Sequence, residues 1–157
     1  IIKNRKSIRM EKANTYFQKK KFKYIDHLFG IQFKKPKKWR MRSKNPQSDM
    51  IVFQFKGTLI LLKLFRIPRS LMKILESLQK RMGNENLKIL WQRQRNFKGG
   101  LGLEVAIASP NSKAIFRAFL ADKNNKGILV LLITPKEKLK KAERGFSNLV
   151  TSIEFLE

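Results

Sequence analysis

The chain reads as an α+β fold: a mostly antiparallel β-sheet sandwiched by helices, with a basic N-terminal helical extension. Three observations predict it. Several runs alternate apolar and polar residues with period 2 and are joined by short turn-forming stretches. Two other runs repeat apolar residues at helical spacing. One run, ILVLLIT at residues 128–134, is apolar almost throughout, as suits a central strand covered on both faces.

Residues 1–23 form a basic N-terminal arm or helix, and residues 24–157 a single α+β domain. In the arm, Met10, Ala13 and Phe17 could share a helix face, but the stripe is weak. Two readings stay open: an exposed helix docked by one or two aromatics, and an arm that orders on a partner.

The domain opens with a strand at residues 29–33, where Phe29, Ile31 and Phe33 alternate with Gly30 and Gln32. Pro36 cannot donate to a ladder and ends it. Residues 44–49 (KNPQSD) have loop chemistry. Residues 50–55 and 58–65 flank Lys56-Gly57 and predict a hairpin. A helix over 71–82 follows, with Leu71, Ile74, Leu75, Leu78 and Met82 as its stripe, Pro68 before it and Gly83 after it. Strands are predicted at 87–95, 103–108, 114–121 and 128–134, separated by short turns. The sequence Thr134-Pro135-Lys136-Glu137 predicts a capped helix start. Leu139, Ala142, Phe146, Leu149 and Val150 give that last helix its apolar face.

Charge is the second theme. The chain carries 36 Lys and Arg against 11 Asp and Glu, a net charge of +25. Residues 1–44 alone hold 16 of those cations, opposed only by Glu11 and Asp26. Basic runs occur at 19–23, 34–42 and 136–144. A solvated face is the simplest account of such runs, but self-repulsion at this density favours an acidic or polyanionic partner.

Enzyme chemistry is poorly supported. There is no cysteine, so thiolate metal sites, disulfides and a Cys nucleophile are excluded. His27 is the sole histidine, so a structural or surface role fits it better than a metal site. Glu104 and Asp122 could do acid–base work, yet each more simply pairs with a cation. Gly99, Gly100 and Gly102 lack phosphate-loop spacing and sit between strands, as in a hairpin turn. Trp91, Phe53, Phe55, Phe116 and Phe119 could stack on bases, but no RNP-like stretch accompanies them, and a core suits them better. No apolar run reaches the length of a membrane span, and neither a cofactor nor a small-molecule substrate is indicated. The chain opens at Ile1 without a signal-peptide pattern, which reads as a mature chain with its leader removed.

The stretch Phe29-Gly30-Ile31-Gln32-Phe33-Lys34-Lys35-Pro36-Lys37-Lys38-Trp39 resembles the opening signature of PsbP-like domains. Phe146 followed by Ser152-Ile153-Glu154-Phe155 resembles the family's close. The resemblance spans about residues 24–157 and implies a sheet layered between helices. Members include extrinsic photosystem II subunits, a Ran-binding nuclear factor and bacterial exported lipoproteins. They bind and stabilise protein assemblies without a shared catalytic site. Two departures stand out: no lipobox cysteine is present, and residues 1–23 fall outside the pattern. The resemblance tilts localisation toward an exported (periplasmic or extracytoplasmic) or organellar chain.

The expectation is a non-enzymatic accessory subunit or assembly factor that docks electrostatically on a larger acidic protein complex. Its candidate partner-binding residues are Lys19, Lys20, Lys21, Lys23, Lys34, Lys35, Lys37, Lys38, Arg40 and Arg42. The alternative is an RNA-binding component, such as an organellar ribosomal protein, using the same cations on phosphates.

Overall fold

In the computed structural model the described residues are 15–18, 23–44, 50–65, 88–110 and 112–156, with helical positions 73, 76, 77 and 80. Eleven strands are described: β1 (Thr15–Gln18), β2 (Lys23–Asp26), β3 (Ile31–Lys34), β4 (Arg40–Lys44), β5 (Met50–Phe55), β6 (Thr58–Phe65), β7 (Lys88–Phe97), β8 (Gly100–Ala108), β9 (Ala114–Lys123), β10 (Lys126–Pro135) and β11 (Glu154–Phe155). A 3-10 turn at Lys136–Lys138 leads into helix α1 (Leu139–Thr151). All described pairings are antiparallel.

The strands form two sheets. One has four strands in the order β1-β2-β3-β11, the other seven in the order β4-β5-β6-β10-β9-β8-β7. The apolar run at 128–134 is thus the centre of the larger sheet, as its composition predicts. Alternate residues of β9 and β10 feed opposite faces, as the strand period of 2 requires. Phe119, Ile128, Val130 and Leu132 join the large core, which also takes Tyr24, Ile31 and Phe33 of the small sheet and Phe146, Leu149 and Val150 of α1. Ala118, Leu120, Leu129 and Leu131 belong to a second cluster with Val105 and Ile107. So the small sheet and α1 cover one face of the large sheet. The described helical positions Lys73, Glu76, Ser77 and Lys80 are all exposed, as expected opposite the apolar stripe, whose residues lie outside the described ones.

Two tight hairpins match their turn residues. Lys56 and Gly57 have φ of 43° and 81°, Asn124 and Asn125 of 51° and 63°. Paired left-handed residues match strand twist, and Gly and Asn enter that region at least expense.

Several expectations change. Residues 15–18 are strand rather than helix, pairing with β2; the β-favouring Thr-Tyr-Phe run outweighs a weak helical stripe. Residues 1–14 lie outside the described ones. Phe29 sits in the β2–β3 turn, where its N–H donates to Asp26 Oδ1 at 3.0 Å, and the strand starts only at Ile31. Lys44 closes strand β4 rather than opening a loop; residues 45–49 lie outside the described ones. The Thr134 hydroxyl does not cap a helix. It is buried and bonded to Thr58 Oγ1 at 2.9 Å, while neither the 3-10 turn nor α1 has a side-chain cap. Burial of two hydroxyls together satisfies both, and the 3-10 turn moves the helix start to Leu139.

Candidate functional site: a lysine groove beside an arginine cavity

The β3–β4 connection is folded around Trp39. Trp39 N donates to Pro36 O at 3.3 Å, and Lys38 at φ 70° closes the turn. The indole is buried, with the Phe55 ring 5.8 Å away. On its other side lies α1 at Gly145, where a Cβ would fall 2.5 Å from Trp39 Nε1. Glycine is therefore what lets helix and indole meet. The tryptophan packs at the sheet's end and pins the lysines that flank it.

These lysines border a groove of about 1380 Å³ between the Pro36 connection, the β5–β6 turn and α1. Lys23, Lys34, Lys35, Lys37, Lys38, Lys56, Lys98, Lys141 and Arg144 line it, against one carboxylate, Glu154. Phe33, Pro36, Trp39 and Phe55 contribute its apolar surface. Five candidates thus come together here: Lys23, Lys34, Lys35, Lys37 and Lys38. Arg40 and Arg42 are exposed on β4 and do not line the groove, and Lys19, Lys20 and Lys21 lie outside the described residues.

The cations play different parts. Lys37 and Lys38 are exposed. Lys35 is half-buried, and its ammonium donates to Pro36 O at 3.2 Å and to Trp39 O. It braces the loop, and burial holds its pKa below the usual lysine value. Lys138 Nζ donates to Lys56 O at 2.5 Å, tying the start of α1 to the β5–β6 turn. Glu154 accepts from Gln32 and pairs with Lys98 at 3.3 Å. Burial alone would raise its pKa, but the Gln32 amide and the Lys98 and Lys23 charges outweigh this and leave it lowered. Lys56, Lys98, Lys141 and Arg144 were missed as site residues. The first two lie in hairpin turns far apart in sequence, whereas Lys141 and Arg144 belong to the basic run at 136–144.

A second cavity of about 340 Å³ lies on the other flank of α1, with Arg144 shared between the two. A register shift in β7 between Ile89 and Trp91 builds it. Strict alternation would keep these two side chains on one face. The irregularity instead leaves Ile89 on the second cluster and puts Trp91 on the α1 side, 38% exposed. Trp91 is therefore not a core residue, although Phe53 and Phe119 are. Across the strands Trp91 pairs with Ala106, and Ala106 with Arg117. The small alanine leaves the Arg117 guanidinium 5.3 Å from the indole centroid, and Arg93 lies 4.8 Å from the same ring.

Glu104 anchors this cluster. Its side chain is 4% exposed; Oε2 accepts from Arg93 Nε and Oε1 from Arg95 Nη1, both at 2.5 Å. Arg95 also donates to Ser147 of α1. Pairing with cations is what the sequence suggested for Glu104. Asp122 is exposed at the far end of β9, opposite Gly127, so the two carboxylates are not brought together. His27 is exposed in a turn, and Gly99 and Gly100 lie in the β7–β8 hairpin. Among the described residues, no group of three His, Cys, Asp or Glu could hold a metal, and no helix is long and apolar enough to cross a membrane.

No family model matches the chain, and no curated protein matches it. Among solved structures it is similar to cyanobacterial PsbP (CyanoP) from Synechocystis sp. PCC 6803, with a TM-score of 0.64 and 16% identity. The match covers 85% of this chain and 91% of that one. The chain has the PsbP-like fold.

Proposed function

We propose that the chain is a non-enzymatic accessory subunit or assembly factor that docks its lysine groove onto an acidic face of a larger protein complex. The observation that carries this is the lining of the groove: nine cations against Glu154 alone, around an apolar floor held by Trp39 and Gly145. Long-range attraction would steer the encounter, and the floor would accept apolar side chains once charges are paired. The PsbP-like fold supports the reading, because the family resemblance implies assembly partners. Against the RNA alternative stand the aromatics: Phe53 and Phe119 are buried, and exposed Trp91 lies beside Arg93 and Arg117. Among the described residues, the sheet therefore offers no row of free rings on which bases could stack.

Affinity capture of the full chain from native cells at ~150 mM salt tests this. A defined protein complex is expected to co-purify, and to be lost when Lys37→Gln and Lys38→Gln are combined. Micromolar RNA binding with a steep salt slope and no protein partner would overturn it.

A further inference from the structure

The arginine cavity holds more positive charge than its own carboxylates can answer. Arg93, Arg95, Arg117, Lys140 and Arg144 line it, against Glu104 and Glu143. Both oxygens of Glu104 are already taken, by Arg93 and Arg95. Arg117 is the most deeply buried of the paired cations. Its side chain is only 13% accessible, yet its carboxylate partner, Glu143, stands 3.6 Å away and is itself 48% exposed. Its remaining hydrogen bond goes to Phe116 O at 3.1 Å. A largely desolvated guanidinium paired to a carboxylate only at 3.6 Å is costly unless a further anion reaches it. The forks are also preset: Arg93 and Arg117 by the Trp91 ring, Arg95 by Glu104 and Ser147. Such preorganisation favours bidentate recognition of a tetrahedral oxyanion.

We propose that this cavity binds a phosphate monoester. Five cations against two carboxylates suit a dianion better than a single carboxylate. The volume of 340 Å³ equals roughly ten waters of liquid, so the phosphoryl group leaves room for its small organic substituent. The proposal stands apart from the docking reading, since Lys37 and Lys38 do not line this cavity.

Calorimetric titration of O-phosphoserine into the full chain, at ionic strength held constant with chloride, tests it; serine is the control. Saturable one-to-one binding is expected. Arg117→Gln should weaken it about tenfold or more, the size of one charge-assisted hydrogen bond, and the more exposed Arg93→Gln severalfold. Glu143→Gln, which removes a competing carboxylate from the half-exposed helix face, should tighten it. This gain is one that a merely structural role would not produce, and it needs no folding-sensitive variant. The Lys37→Gln/Lys38→Gln double variant should bind normally. Phosphatidic acid vesicles showing the same variant ranking would identify a lipid headgroup as the source; binding of O-phosphoserine alone would identify a soluble or protein-borne ester. Unsaturable uptake, equal loss in the groove double variant, or no response to Glu143→Gln would overturn the proposal.

Discussion

The groove and the cavity flank the same helix and share Arg144, yet they are made from opposite chemistry. The groove is four times larger, and all but one of its nine cations are lysines; all but one of the cavity's five cations are arginines. Lysine is a hydrated point charge on a mobile stem, good for steering and indifferent to geometry. Arginine is a rigid fork, and here three forks are fixed by a buried glutamate and an indole. The difference teaches that net charge alone describes this surface badly. Of two positive concavities, one is suited to attract an extended acidic surface and the other to fit one group.

The comparison can be broken most severely at Phe146, which lines the cavity, shares the buried core with the groove's Phe33 and Trp39, and lies 6.0 Å from the Arg95 guanidinium. Phe146→Ala should cost about 3–5 kcal/mol in urea denaturation and impair both sites. Glu104→Gln attacks the cavity alone. It leaves Arg95 without its charge partner and should cost about 3 kcal/mol, with groove-dependent capture retained. Gly145→Ala attacks the groove alone: the new methyl must displace Trp39. A loss of about 1–3 kcal/mol is expected, with docking weakened and O-phosphoserine binding preserved.

The smallest effect is a pH dependence. Because the Glu154 pKa is lowered in the fold, the carboxylate contributes stability above its ordinary value of 4.5 and loses it as pH falls through the lowered value. Denaturation at stepped pH should show Glu154→Gln flattening that acid limb. An unchanged limb would remove Glu154 from the groove's charge balance.

Much of the fold was legible because its signals are local. The Lys56-Gly57 and Asn124-Asn125 turns, the alternation in β5 and β6 and the stripe of α1 all act over a few residues. What was not legible depends on partners distant in sequence. Strand β4, Arg-Met-Arg-Ser-Lys, has one apolar side chain and becomes a strand by pairing with β5. Strand β2 is stabilised by β1 and β3 on either side. Four of the ten named docking cations, Lys34, Lys35, Lys37 and Lys38, lie beside Trp39 because they are its neighbours in the chain, whereas Lys23, Lys56 and Lys98 join them only through folding. The arginine cavity was invisible for a sharper reason. A one-residue irregularity in β7 moves Trp91 to the other face, and simple alternation predicts the reverse.

The small sheet also governs when the molecule can finish folding. Its last strand, β11, pairs Phe155 with Ile31 and Glu154 with Gln32. Leu156 N donates to Gly30 O at 2.7 Å, and the Lys126 ammonium grips Leu156 O while filling the space a Gly30 side chain would need. The contacts of residues 154–156 with residues 30–32 span more than 120 positions of sequence, so they close a long loop. During translation, β3 must wait with one edge unsealed until residues 154–156 emerge. The groove beside them is complete only then, so a chain stalled before residue 154 would have its lysines but not the surface that presents them.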